Sequence, residues 1–210
     1  MQNTINWTVS LCTFACSTAA CPAGRGDYVE RVFHWFYSLP FVGVLLLILL
    51  ATAVFFLLHE KFGNSPYWKT GILLLFLCWI AVIFFGTLGY RSEGGNLSEP
   101  VILPFASYFA VLNGGTKELI RTNFMNIVLF YPAGLLFCEL LPKRGKDRWK
   151  VLLVMSIFML ISLGIEYTQY RFSLGLAETD DVIHNTLGAS LGGIICSFLG
   201  KFNTKAPPVA

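Results

Sequence analysis

The chain has little charge. Asp, Glu, Lys and Arg make up 13% of its 210 residues, apolar residues reach 55%, and the mean hydropathy is +0.65. That composition excludes an ordinary soluble domain. No Gly-rich phosphate loop occurs, which argues against ATP-driven chemistry, and no nucleophile triad is evident. A formal net charge of +3 is too small for a nucleic-acid footprint. No repeat or low-complexity segment is present. The cysteines form neither a zinc nor a disulfide framework. Cys78, Cys138 and Cys196 fall in different apolar runs, where a thiol packs as a small hydrophobe. Cys12, Cys16 and Cys21 cluster without histidine partners, which leaves a disulfide open if that end meets an oxidising compartment. Residues 1–30 lack a basic n-region and a clean apolar core, so no ordinary secretory signal is expected there. Residues 1–31 are expected to be poorly ordered, residues 32–205 to form a helical membrane domain, and residues 206–210 to be a tail.

What the chain does have is a series of apolar runs close to the length of about 20 residues that crosses a bilayer as a helix. The runs lack the alternation of barrel strands, and backbone groups in lipid must pair internally. An all-α polytopic bundle of about five transmembrane helices is therefore expected. The expected spans are 39–58, 70–90, 122–141, 149–165 and 182–199. His34, Trp35, Phe36 and Tyr37 before the first, and Pro66, Tyr67, Trp68 and Lys69 before the second, are interfacial anchors. Between 92 and 121, Gly94, Gly95, Pro100, Pro104, Gly114 and Gly115 indicate a loop with short amphipathic pieces. Within it, Leu103 to Phe109 is aromatic enough to dip into the interface. Five spans put three basic groups on one side: Lys61 with Lys69, the loop with Lys143, Arg144, Lys146, Arg148 and Lys150, and the tail with Lys201 and Lys205. The positive-inside rule makes that side cytoplasmic. The amino terminus then lies outside, with the loop at 91–121 and the hairpin at 166–181, and the carboxyl terminus lies in the cytoplasm.

The apolar pattern is interrupted most strongly from Glu166 to Gly193. Glu166 and Gln169 are three apart and share a helix face, as do Asp181, Asn185 and Gly188. A short loop holding Arg171, Glu178 and Asp180 is expected between the two helices. The third span opens with Asn123 and Asn126, again three apart. With Arg91 and Arg121, the five-span topology brings all of these to one membrane face. A carboxylate within a span costs about 2.5 to 3.5 kcal/mol on insertion scales, so Glu166 and Asp181 need a partner or a wet cavity. The groups either brace the bundle or form a working site. As braces, the asparagines would bond across helices, and Asp181, Asp180 or Thr179 would cap the last helix. As a site, Glu166 and Asp181 would carry acid–base chemistry, while Asn123, Asn126, Gln169, Asp180, Asn185, Arg91 and Arg121 would hold the substrate. Oxygen ligands from Glu166, Asp180 and Asp181 with His184 could be drawn around a metal, but no HExxH-type pair fixes a geometry. Neither a metal nor another cofactor is expected. His184, about 100° round the helix from Asn185, is expected to be an interfacial side chain. Gly188 and Gly192, and Ala189 and Gly193, have the spacing of close helix contact.

The stretches VILPFASY, RTNFMNIVLFYPAGLL and IEYTQYRFSLGLAETDDVIHNTLGASLGG resemble the VanZ family of bacterial membrane proteins, over roughly residues 86–200. The shared pattern is an asparagine pair before LFxPxG, a glutamate and glutamine three apart, then Asp-Asp followed by Asn and Gly. Here these are Asn123, Asn126, Phe130, Pro132, Gly134, Glu166, Gln169, Asp180, Asp181, Asn185 and Gly188. Family members often carry Gly-Arg shortly before the acidic pair, where this chain has Leu176, Ala177 and Glu178, with Arg171 placed earlier. The resemblance implies a multi-pass protein of the bacterial cell membrane and an association with resistance to teicoplanin and related lipoglycopeptides. It implies no defined reaction, so whether the chain is an enzyme stays open.

The expectation is an outward-facing polar pocket that binds or acts on an amphiphilic envelope molecule. A membrane lipid, a lipid-linked wall precursor or a lipoglycopeptide would fit, with arginines on an anionic headgroup and apolar helix flanks on the acyl chain. Two alternatives stand beside it. One is a non-enzymatic structural or shielding membrane component. The other is a small transporter, which ranks last because no ladder of charge crosses the spans.

Overall fold

The structure is a computed structural model that describes residues 40–89, 99–142 and 147–203. Cys12, Cys16, Cys21, the aromatic group from His34 to Tyr37, Arg91, Lys143, Arg144, Lys146 and Lys205 lie outside the described residues. Among the described residues the architecture is all-helical: α1 Phe41–Phe62, α2 Trp68–Phe84, a π-helical turn Phe85–Gly89, the short α3 Ala106–Leu112, then α4 Glu118–Leu140, α5 Asp147–Phe172 and α6 Thr179–Asn203. Five of these segments are long and apolar enough to cross a membrane, with α2 continuing through the π turn. The chain is a multi-pass membrane protein.

Contacts at three depths set the directions of the helices. Phe41 packs on Phe124, Thr52 Oγ1 and Tyr131 Oη lie 2.7 Å apart, and His59 Nε2 lies 3.3 Å from Glu139 Oε1, so α1 and α4 run parallel. Trp68 Nε1 donates to Glu139 Oε1 and Trp79 Nε1 donates to the Leu129 carbonyl, so α2 runs antiparallel to α4. The Trp79 bond lies beside Pro132, which lacks the N–H that would reach back to Val128. In lipid such a break in the ladder must be managed by neighbouring helices. The helix ends carrying Lys61, Lys69, Arg148 and Lys201 therefore share one end of the bundle, and Asn123, Asn126, Glu166, Gln169, Asp180, Asp181 and Asn185 share the other.

α4 is the central helix. Of its membrane window 56% is buried, against 6% for α1, whose apolar side chains mostly face outward. Phe130 and Phe158 meet edge to face at the centre, with Ile83, Val154 and Ile165 also buried. The glycines let α6 lie against α4: a Cβ on Gly188 would stand 2.3 Å from the Ile127 carbonyl oxygen, one on Gly192 2.1 Å from that of Tyr131, and one on Gly134 2.0 Å from that of Ala189. Only glycine fits at these positions, and the close approach fixes the register of the two helices.

Around the polar hairpin, two residues expected in the loop are helical. Glu166 and Gln169 are helical as expected, but the helix runs on to Phe172, so Arg171 is helical and not in the loop and the true turn is short. Near lipid the backbone still needs internal partners, and polar residues continue the helix until Ser173 takes a left-handed φ of 53° and Leu174 N–H closes on the Gln169 carbonyl. Asp180 likewise belongs to the first turn of α6 and not to the loop.

Candidate functional site

The polar end is built from α4, α5 and α6. Asn126 Nδ2 donates to Asp181 Oδ1 at 2.7 Å, joining α4 to α6. Asn185, one turn further along α6, donates from Nδ2 to Ser162 Oγ at 2.9 Å, joining α6 to α5. Ser162 lies one turn before Glu166 on the same face of α5, and Glu166 Oε2 accepts the backbone N–H of Glu178 at 2.9 Å. Gln169, at the carboxyl-terminal end of that stripe, donates from Nε2 to the Thr87 carbonyl at 3.1 Å. The π turn widens the helix there and presents that carbonyl, as such turns do near sites. Glu166, Gln169, Asn123, Asn126 and Asn185 are all buried, and Asp181 is half-buried at the positive end of the α6 dipole.

Asp180 faces the other way. Its Oδ1 accepts the Phe105 N–H, and its Oδ2 accepts the Ser107 N–H at 2.9 Å and the Ser107 hydroxyl at 2.6 Å. It thus caps the start of α3 from another element and holds Phe105 at a left-handed φ of 62°, a conformation uncommon for an aromatic residue. Val101 N–H to the Ala177 carbonyl and Thr179 N–H to the Val101 carbonyl form a single parallel bridge, and Thr179 Oγ1 donates to the Ile102 carbonyl. The segment before α3 is stitched to the α5–α6 turn.

His184 corrects the sequence expectation: it is buried, not interfacial, at 4% exposure. α3 covers it. Its Nδ1 bonds the Asp180 carbonyl and must carry the proton, because a carbonyl only accepts. Nε2 and the Tyr108 hydroxyl lie 2.8 Å apart and share a hydrogen bond. Of the expected cations, Arg121 is half-buried in the first turn of α4, Arg91 lies outside the described residues, and Arg171 is exposed with its guanidinium over Phe172. No group of three or more His, Cys, Asp or Glu side chains is placed to hold a metal among the described residues. Residues 188–192 spell Gly-Ala-Ser-Leu-Gly, the letter pattern of a nucleophile elbow, but they lie mid-helix and Ser190 Oγ donates to the Thr186 carbonyl. An elbow requires a strand-to-helix turn, which is not present there.

Sequence reasoning found Glu166, Gln169, Asn126, Asp181 and Asn185, which the structure brings into linked helix contacts. It missed Ser162, Ser107, Tyr108 and Thr87. Ser162 had a signal, four residues before Glu166. The other three act through contacts between segments more than seventy residues apart in sequence, for which no local pattern exists.

A family model described as VanZ/LLP1 matches residues 72–200. The chain belongs to the VanZ/LLP1 family. The match begins inside α2, ahead of the position near residue 86 where the resemblance starts, so α2 and the π turn that meets Gln169 belong to the VanZ-like core. No curated protein and no solved structure matches the chain.

Proposed function

We propose that this VanZ-like membrane protein binds or acts on an amphiphilic cell-envelope molecule at its polar end. The observation that carries the proposal is the chain of bonds from Asn126 through Asp181, and from Asn185 and Ser162 to the face of Glu166, which concentrates carboxylate and amide groups at one end of an oily bundle. Polar groups are costly at such depth and mark functional positions in membrane proteins. The basic residues at the opposite helix ends support an outward orientation of this end in a bacterial cell membrane. Glu166 and Asp181 are the acid–base candidates, and Asn123, Asn126, Gln169, Asn185, Arg121 and Arg91 the binding candidates. Asp180 contributes by holding α3. Family membership supports lipoglycopeptide resistance as one outcome of this activity.

Lipid mass spectrometry of bacteria with and without the protein, with and without teicoplanin, tests the reading. The expected result is a changed amphiphile or a raised teicoplanin threshold with the native chain, and neither with Glu166→Gln at equal membrane level. A response identical in both chains would sink it. A non-enzymatic shielding component is the second reading. The bracing roles of Asp180 and Asn126 favour it, and it predicts a threshold change without any change in lipid composition.

A further inference from the structure

We infer that the polar column between α5 and α6 is a subsite for an uncharged, hydroxyl-bearing headgroup, a glycosyl or polyol unit, of the amphiphile proposed above. This inference rests on that functional reading and narrows it. Among the described residues, the buried polar atoms at this end of the bundle with no hydrogen-bond partner include Gln169 Oε1, Asn185 Oδ1, Thr186 Oγ1 and Asn123 Nδ2. The parent amides are nearly inaccessible, at 1% for Gln169, 3% for Asn185 and 2% for Asn123. Buried polar atoms are normally paired, so a cluster of exceptions points to a guest.

Geometry places three of these atoms along one strip, which runs from the contact of α5 with α6 to the contact of Gln169 with the π turn. Ser162, Glu166 and Gln169 lie on one face of α5, while Asn185 bonds Ser162 and the Glu178 N–H bonds Glu166. From Asn185 to Gln169 the strip covers two turns of α5, about 10 Å at the helical rise. Thr186 lies two turns before Gly193, on the side of α6 that meets Val154 of α5. Asn123 adds the end of α4, one turn from Asn126.

The donor and acceptor pattern selects the guest. Gln169 Nε2 is committed to a carbonyl, so its Oε1 is an acceptor whichever way other amides are turned. A phosphate only accepts. It would face Gln169 Oε1 and Asn185 Oδ1 beside the carboxylates of Glu166 and Asp181. An ammonium only donates, and would leave Asn123 Nδ2 without an acceptor. A hydroxyl does both, and neighbouring hydroxyls on one ring can answer acceptors and a donor together.

The test uses the full chain in nanodiscs holding equal amounts of glucosyl diacylglycerol, phosphatidylglycerol and phosphatidylethanolamine with the same acyl chains, and native mass spectrometry of the lipid retained on the protein. The expected result is enrichment of the glycolipid over both phospholipids by about tenfold, a difference of one decade in affinity. Gln169→Leu and Thr186→Val each lower that enrichment without changing phospholipid retention. Thr186→Val is isosteric and removes a hydroxyl that has no partner among the described residues, so it keeps the test valid if Gln169→Leu does not fold. Equal retention of all three lipids, as a merely hydrated cluster would give, overturns the inference. So does a preference for phosphatidylglycerol, or enrichment that both variants leave intact. Lost enrichment with the cellular response intact removes this inference alone, whereas enrichment without any cellular response removes the functional reading and leaves a binding site.

Discussion

Asn126 and Asp181 sit 55 residues apart in sequence, yet the amide of one donates to the carboxylate of the other at 2.7 Å. The bond ties the amino-terminal half of α4 to the first turn of α6, two turns before Gly188, whose missing side chain lets the two backbones meet at Ile127. Asp181 is thus held at a fixed depth by packing, not by a flexible loop.

Bracing and chemistry can be separated at this pair. Asp181→Asn should abolish the cellular response while lowering stability by about 1.5 to 3 kcal/mol, the range for a bond to a charged group. The exchange Asn126→Asp with Asp181→Asn restores an amide–carboxylate bond but moves the charge to α4. Thermal stability in detergent should recover in the exchanged protein and the response should not. Recovery of both would make the pair a brace only.

The glycine contacts predict a graded series. Gly188→Ala and Gly192→Ala force Cβ atoms within 2.3 Å and 2.1 Å of backbone oxygens, so the helices must separate. Overpacking of this kind costs about 1 to 3 kcal/mol. Gly193→Ala meets only the Val154 side chain at 3.3 Å, and Gly71→Ala meets nothing within 4 Å. Melting temperatures should fall for the first two and stay near native for the last.

Asp180→Ala should release α3. Two backbone N–H groups and the Ser107 hydroxyl would lose their acceptor, at about 1 to 3 kcal/mol for each buried group left unmade. Hydrogen exchange at Phe105, Ser107 and Tyr108 should accelerate, with α4 and α5 unchanged. Ser107→Ala removes one bond of the three and should show a smaller effect.

At the basic end, Glu139 accepts from Trp68 and lies against His59, holding α1 and α2 to the centre of the bundle. Replacing either His59 or Glu139 by Leu leaves the other buried polar group without this partner and costs about 1 to 3 kcal/mol. Replacing both should cost less than the sum of the singles. Additivity in unfolding measurements would mean that the two residues do not interact.

Orientation has a direct readout. With native cysteines replaced, a cysteine at Ser173 should react with an impermeant maleimide added outside intact cells, and one at Lys69 should react only after lysis. Labelling of both from the same side would refute the arrangement of spans.

Much of the site was legible because helical spacing is local. Glu166 and Gln169 at three, and Asp181 and Asn185 at four, share faces wherever a helix forms, and an apolar chain leaves such residues conspicuous. His184 shows the limit. Its spacing turns it away from Asn185, correctly, but whether that direction meets solvent or protein depends on α3, which returns from a separate segment to cover it. The same limit hid the role of Asp180, whose carboxylate caps a helix more than seventy residues away.

The sequence by itself determined an all-helical membrane bundle of five spans, because apolar runs of that length leave the backbone no other way to pair in lipid. It also determined that Asn123, Asn126, Glu166, Gln169, Asp181 and Asn185 gather at one end, since helix direction alternates with each crossing. Only the tertiary structure decided which of these groups touch. Side-chain contact between helices depends on register and rotation, and here both are set by glycine-to-backbone contacts of α4 with α6. That packing turned a list of polar residues into a bonded network, with Asp180 assigned to holding α3 and Asp181 to the polar end.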